Sequence, residues 1–239
     1  MTSVLLVTGG PDYAHDFGAS AAALAAVIGA TGADVKVVDH PDRAAELLPG
    51  GFDAVVVNAL RWRMLHERYD QWRAQWGYHT PASTRAAFTE FVAAGGGLMG
   101  SHTASICFDD WPEWREVLGG AWNWERSSHP PVAPVAARVV SARAAQHAVL
   151  AGLPPTLELV DEVYGEVDLA DGCEVLMVAR RTPDDADQPV LWAHQFGAGR
   201  VVYDGFGHDA TSINEPQHAA LIRQAVRWVC GEPNSEGAR

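Results

Sequence analysis

The chain predicts an α/β protein, a parallel sheet with helices on both faces and an added antiparallel β extension, and three observations carry that prediction. Over the first half, short β-branched runs alternate with helical patterns, as βαβ units require. From about residue 132 to 205 the texture changes to closely spaced alternating segments with no helical pattern between them, as an antiparallel extension requires. The 239 residues, 48% hydrophobic and 20% charged, can bury a sizeable core without disulfides, so one domain spanning 1–239 is expected.

The elements follow in order. Residues 3–8 form the first strand, and 19–30 an alanine-rich helix ended near Gly32. Residues 35–38 are the second strand, 41–48 a short helix and 54–58 the third strand. Pro81 suits the first turn of a helix that runs to Ala94. Residues 97–100 form a glycine-led fourth strand, and Trp111-Pro112-Glu113-Trp114 opens a helix closed by Gly119-Gly120. The extension comprises strands at 135–140, 157–163, 174–179, 189–193 and 200–203, with Phe196-Gly197-Ala198-Gly199 as a hairpin turn. A helix over 215–230 closes the fold, and Gly237-Ala238-Arg239 is a frayed tail. Residues 60–80 interrupt the scheme with Trp62, Trp72, Trp76, Tyr69 and Tyr78. Such an insert either lines a sugar site with aromatic faces or packs on the domain or on a second subunit of a homo-oligomer.

Seventeen basic against thirty acidic residues give a net charge of −13 and a pI near 5.1, which would repel phosphate backbones and anionic membranes. Neither nucleic acid nor membrane is expected as a partner. Cys107, Cys173 and Cys230 are odd in number and widely spaced, so they make neither a disulfide framework nor a Cys-x-x-Cys zinc site. With no basic n-region and no apolar run long enough to cross a bilayer, a soluble cytoplasmic protein is expected. Gly9-Gly10-Pro11 lacks the Gly-x-Gly-x-x-Gly spacing and Pro11 removes an amide donor, so no nucleotide cofactor is expected.

Several polar residues fall at the carboxyl ends of predicted strands, where open α/β proteins bind ligands. His15 follows the first strand, Asn58 ends the third, His102 follows the fourth, and His208 follows the late strand in Tyr203-Asp204-Gly205-Phe206-Gly207-His208. His129 lies in the loop Trp122-Asn123-Trp124-Glu125-Arg126-Ser127-Ser128-His129. In Asp161-Glu162-Val163-Tyr164, strand alternation sends Glu162 and Tyr164 to the face opposite the core residue Val163, making Glu162 the better acid/base and Tyr164 a hydrogen-bond donor. His102 is the central candidate, because the run Gly95-Gly96-Gly97-Leu98-Met99-Gly100-Ser101 delivers it to a strand-to-helix turn of the kind that presents nucleophiles.

These motifs resemble the ThuA-like, or trehalose-utilisation, family, whose fold is similar to the flavodoxin-like sheet of the class I glutamine amidotransferases. The resemblance rests on the first loop with His15, on residues 95–102, Asp110-Trp111-Pro112, Gly119-Gly120 with His129, and His147 before Gly152-Leu153. It continues through Asp161-Glu162-Val163-Tyr164, Pro189-Val190-Leu191-Trp192, residues 197–201 and Gly207-His208. It implies a role in carbohydrate metabolism. Amidotransferases carry a cysteine where this chain has His102, and a glutamate two residues beyond the late histidine where this chain has Ala210, so glutamine hydrolysis through a thioester has no nucleophile. Cys107 is expected inside the next helix.

The expected activity is acid/base chemistry on a small-molecule sugar or keto-sugar. His102, His208 and Glu162 are the catalytic groups, and His15, Asn58, His129, Asp161, Tyr164 and Trp192 form the pocket. A non-catalytic carbohydrate-binding or regulatory protein with a vestigial amidotransferase-like pocket is the alternative. His15, His102, His129 and His208 could also supply imidazole ligands to a divalent metal.

Overall fold

The computed structural model describes residues 1–232; the expected tail at 237–239 lies outside them. Strands β1 (Ser3–Gly9), β2 (Asp34–Val38), β3 (Ala54–Ala59) and β4 (Gly97–Ser101) alternate with helices α1 (Phe17–Gly29), α2 (Pro41–Leu47), α3 (Asp70–Trp76) and α4 (Ala82–Ala93). Next come α5 (Trp114–Leu118), β5 (Gly120–Ala121), β6 (Ala133–Val139), β7 (Thr156–Asp161), β8 (Asp168–Leu169), β9 (Glu174–Ala179), β10 (Gln188–Phe196) and β11 (Gly199–Asp204). Helices α6 (Ala210–Asn214) and α7 (Pro216–Val229) end the described chain.

One nine-stranded sheet runs in the order β2-β1-β3-β4-β11-β10-β9-β6-β7, and β5 pairs with β8 in a small second sheet. The first five strands are parallel, the flavodoxin-like arrangement; from β10 onward every pairing is antiparallel. The expected parallel core with an antiparallel extension is what forms. β1 and β3 are apolar and buried on both faces, and Asp16 starts α1 by accepting from the Ala19 amide at 2.9 Å. The alanine-rich helix can then lie close on the sheet.

The glycines of β4 and β11 have a packing reason. A Cβ on Gly97 would stand 2.6 Å from the Val229 carbonyl at the end of α7, and one on Gly199 would stand 2.2 Å from the Val92 carbonyl of α4. Both faces of the sheet centre are therefore covered by backbone at contact distance.

Three local expectations are corrected. The strand predicted to 163 ends at Asp161, because the next residues leave the ladder to reach the sheet's carboxyl edge. The element after His102 is a single 3-10 turn, His102–Ser105, so Cys107 is not helical; its Sγ donates to the Ala59 carbonyl at 2.8 Å, and burial pushes the thiol up to about 12. The insert holds its own short helix, α3, beside a 3-10 turn at Glu67–Tyr69. Among the described residues, no helix is long and apolar enough to cross a membrane.

Candidate functional site

The loops at the carboxyl edge of the parallel strands enclose a cleft of about 360 Å³. His15, on the loop from β1 to α1, lines it together with His208, on the loop from β11 to α6. His129, Glu162 and Tyr164 complete its polar lining. β7 is four places from β11 in the sheet, yet the Asp161 carboxylate at its end accepts from the Gly207 amide at 2.8 Å and the His208 amide at 3.3 Å. That contact brings Glu162 and Tyr164 to the histidines. They reach the pocket as predicted, though from the segment beyond the strand.

Glu162 stands at the centre. Its Oε1 is 3.2 Å from His129 Nδ1, and its Oε2 is 3.5 Å from both His102 Nε2 and His208 Nδ1. Burial pushes the Glu162 carboxyl up, but the imidazoles of His102, His129 and His208 more than offset this and hold it well below the usual carboxylate range. Reciprocally, Glu162 raises His129 and His208 above the ordinary imidazole value against the opposing effect of burial. His15 goes the other way, to about 3, because it is buried and faces His102 and His208. Near neutral pH the cleft thus presents imidazole rings of opposite tendency, His15 held neutral and His129 and His208 favouring the proton.

His102 lies beneath the cleft floor, 1% exposed, with φ +45 in the left-handed region that a residue bearing a Cβ seldom adopts. Its Nδ1 donates to the Gly205 carbonyl at 2.9 Å, which leaves Nε2 to accept from the Tyr164 hydroxyl at 2.9 Å. His15 is held in the same way, Nδ1 donating to the His208 carbonyl at 3.3 Å. The rings of His15, His102 and His208 lie 4.6 to 5.6 Å apart, centre to centre. Imidazoles from three distant stretches of chain therefore meet at one rim.

Three predicted pocket residues do not reach the cleft. Asn58 is 2% exposed and gives its amide to Ser20 Oγ at 3.0 Å, tying β3 to α1. Trp192 is wholly buried under α5, stacked on Tyr203 with its Nε1 donating to the Leu118 carbonyl at 3.0 Å. Asp161 is spent on Gly207, His208 and Ser212, so it positions the loop that carries His208. Asn58 lies at a strand end, Asp161 at the end of β7 and Trp192 within β10, and in each case a polar partner inside the fold claims the side chain.

The aromatic walls were legible only as segments. Trp62 and Tyr69 of the insert face Trp122 and Trp124 of the loop before β6, and Trp62 and Trp124 lie nearly parallel with centres 6.3 Å apart. The insert packs on the domain, with Tyr13 stacked on Trp72 at 4.0 Å, and lines the cleft as well. Sequence reasoning missed the buried pair behind the late loop: His218 Nε2 meets Asp204 Oδ2 at 2.8 Å, and its Nδ1 donates to the Ser212 carbonyl at 2.7 Å. The signal available was a histidine on the apolar face of the last helix. With both ring nitrogens used and no exposure, His218, Ser212 and Asp204 make a structural network and no nucleophile.

The ThuA family model, described as trehalose utilisation, matches residues 3–229. The chain belongs to the ThuA family. A ThuA-like protein from Parabacteroides merdae is similar to it with TM-score 0.78 and 19% identity over 98% of this chain and 92% of that one. A cytoplasmic protein from Salmonella typhimurium has TM-score 0.61 and 14% identity over 96% of this chain and 99% of that one. A cold-adapted β-galactosidase from Rahnella sp. R3 contains the same fold, with TM-score 0.62 and 19% identity over 98% of this chain but 32% of that one. At these identities the likeness is one of fold. No curated protein sequence matches the chain.

Proposed function

We propose that this ThuA-family protein is a carbohydrate-metabolism enzyme that moves a proton on a sugar or keto-sugar bound in the cleft. The observation that carries this reading is Glu162 contacting three imidazoles at the floor of a cleft walled by Trp62, Tyr69, Trp122 and Trp124. Tryptophan faces suit the apolar C–H faces of a pyranose, and the volume is that of a small-ligand site. The family description, trehalose utilisation, supports the substrate class.

Groups whose proton affinities are pushed apart are what acid/base catalysis needs. His129 and His208, raised by Glu162, take and return the proton, and neutral His15 hydrogen-bonds the substrate; Tyr164 and His102 hold the arrangement from beneath. Isomerisation or elimination of a keto-sugar begins by removing the proton next to the carbonyl, which this set can do. The chain is no glutaminase on this reading, since His102 stands at the elbow and Cys107 is protonated and turned into Ala59. A cytoplasmic location accords with three unpaired thiols.

The test is solvent exchange. Keto-sugars incubated with the protein in D2O should take up deuterium beside the carbonyl, seen by proton NMR, and Glu162→Gln should slow that uptake by about 100-fold or more. Sugar binding with no exchange and no product would overturn the enzymatic reading and leave a non-catalytic binding protein.

A further inference from the structure

We propose that His15, His102 and His208 together bind one first-row divalent transition ion, zinc foremost, at the floor of the cleft. One ring nitrogen from each lies within 4.8 Å of the other two. Around a tetrahedral ion with Zn–N bonds of about 2.0–2.1 Å, ligand nitrogens sit about 3.4 Å apart, so small ring rotations close the set.

The supporting hydrogen bonds are those a metal site needs. His15 and His102 each donate Nδ1–H to a backbone carbonyl, of His208 and Gly205, which fixes the tautomer and turns Nε2 inward. All three rings hang from one sheet edge, two on the loops after β1 and β11 and one on the 3-10 turn directly after β4, so the pocket is rigidly framed.

A second observation points to a missing ligand. Glu162 Oε2 and His208 Nδ1 are buried, 3.5 Å apart, and make no hydrogen bond. At 3.5 Å the two form a long ion pair with no direct hydrogen bond, so a ligand that satisfied each of them would be favoured. A cation on the three imidazoles satisfies the nitrogen and places positive charge beside the oxygen. Three neutral imidazoles suit zinc and its neighbours in the first transition series, whereas calcium and magnesium require oxygen cages. His129, the fourth histidine candidate, is excluded because it sits on the opposite oxygen of Glu162.

The site leaves its fourth position toward the cleft, with Glu162 beside it. The site stands on its own geometry and changes the roles given above: with the ion bound, His15 and His208 would be ligands, the ion would polarise a sugar oxygen, and proton transfer would rest on Glu162 and His129. Tyr164 would surrender its bond to His102 Nε2.

Untagged protein freed of metal with EDTA is titrated with zinc and with cobalt, and bound metal is counted by elemental analysis after dialysis. One ion per chain is expected, with visible d–d absorption from the cobalt form and a rise in Tm on adding zinc. His15→Gln and His208→Gln, both on the cleft wall where folding is checked by circular dichroism, should weaken binding by about 100-fold or more, while His129→Gln retains the ion. Failure to bind zinc, cobalt, manganese or iron above background, or equal retention by all three variants, overturns the metal site. The outcomes separate the two readings: deuterium exchange by protein that retains none of these ions sinks the metal alone, and tight zinc binding with no exchange on any keto-sugar sinks the sugar chemistry alone.

Discussion

Asp161→Asn tests whether the late loop is held where the site needs it. Four donors converge on this carboxylate, which is 1% exposed: the Glu162 amide on Oδ1 at 2.7 Å, and on Oδ2 the Gly207 amide at 2.8 Å, the His208 amide at 3.3 Å and the Ser212 hydroxyl. Hydrogen bonds to a charged acceptor are worth about 1.5–3 kcal/mol and neutral ones about 0.5–1.5 kcal/mol. If the amide oxygen of asparagine takes the Oδ2 position, three bonds persist at the neutral strength, and the NH2 group faces the Glu162 N–H, donor against donor, for a further cost of about 1–3 kcal/mol. A loss of about 4–7 kcal/mol follows, which in a domain of this size lowers Tm by about 8–28 °C. Differential scanning calorimetry and urea titration of both proteins measure it. A loss under about 1 kcal/mol would refute the reasoning, because the four bonds would then be replaceable by water or by a shift of the loop.

Other expectations follow from buried groups. Burial pulls the His218 imidazole down, but the Asp204 carboxylate more than offsets this and the net shift is upward. A group raised on folding stabilises fully below its unfolded pKa, about 6.5, and loses that stabilisation as pH rises through the folded value. Urea stability of the native protein should therefore decline with rising pH above about 6.5 more than that of His218→Gln; parallel profiles would remove the charge from this pair. With its thiol pushed up to about 12, Cys107 is thiolate in only about one molecule in ten thousand at pH 8, so iodoacetamide should spare it in the folded protein and modify it after denaturation, as peptide mass mapping will report. Gly199→Ala forces a Cβ against the Val92 carbonyl and should destabilise by about 1–3 kcal/mol, whereas Gly29→Ala in α1 meets nothing within 4 Å and should stabilise by about 0.5 kcal/mol; a Gly199→Ala protein as stable as the native one in thermal melts, or a Gly29→Ala protein clearly less stable, would contradict the packing described.

The parts of the site that could be read from the chain are those that follow from strand direction alone. Parallel strands put their carboxyl ends on one edge whatever the loops do, so His15, His102 and His208 could be assigned to a common rim without knowing a single contact. The glycine run before His102 was informative for the same kind of reason, since only backbone fits where Gly97 meets α7. Side-chain partners obey no such rule. Asn58 sits at a strand end and Trp192 within a motif of the family, yet each is claimed from inside, by Ser20 and by the Leu118 carbonyl, and nothing in their neighbours' identities announces it. His218 failed in the opposite sense: on the buried face of α7 it reads as helix interior, and its charge partner at the end of β11 is visible only once the helix is docked. The cleft walls depend on two loops about 60 residues apart closing on each other, Trp62 against Trp124, and that closure is decided by packing. Acid/base candidates at strand ends are thus legible in a parallel sheet, while the groups that fix their tautomers and wall them off must be seen in place.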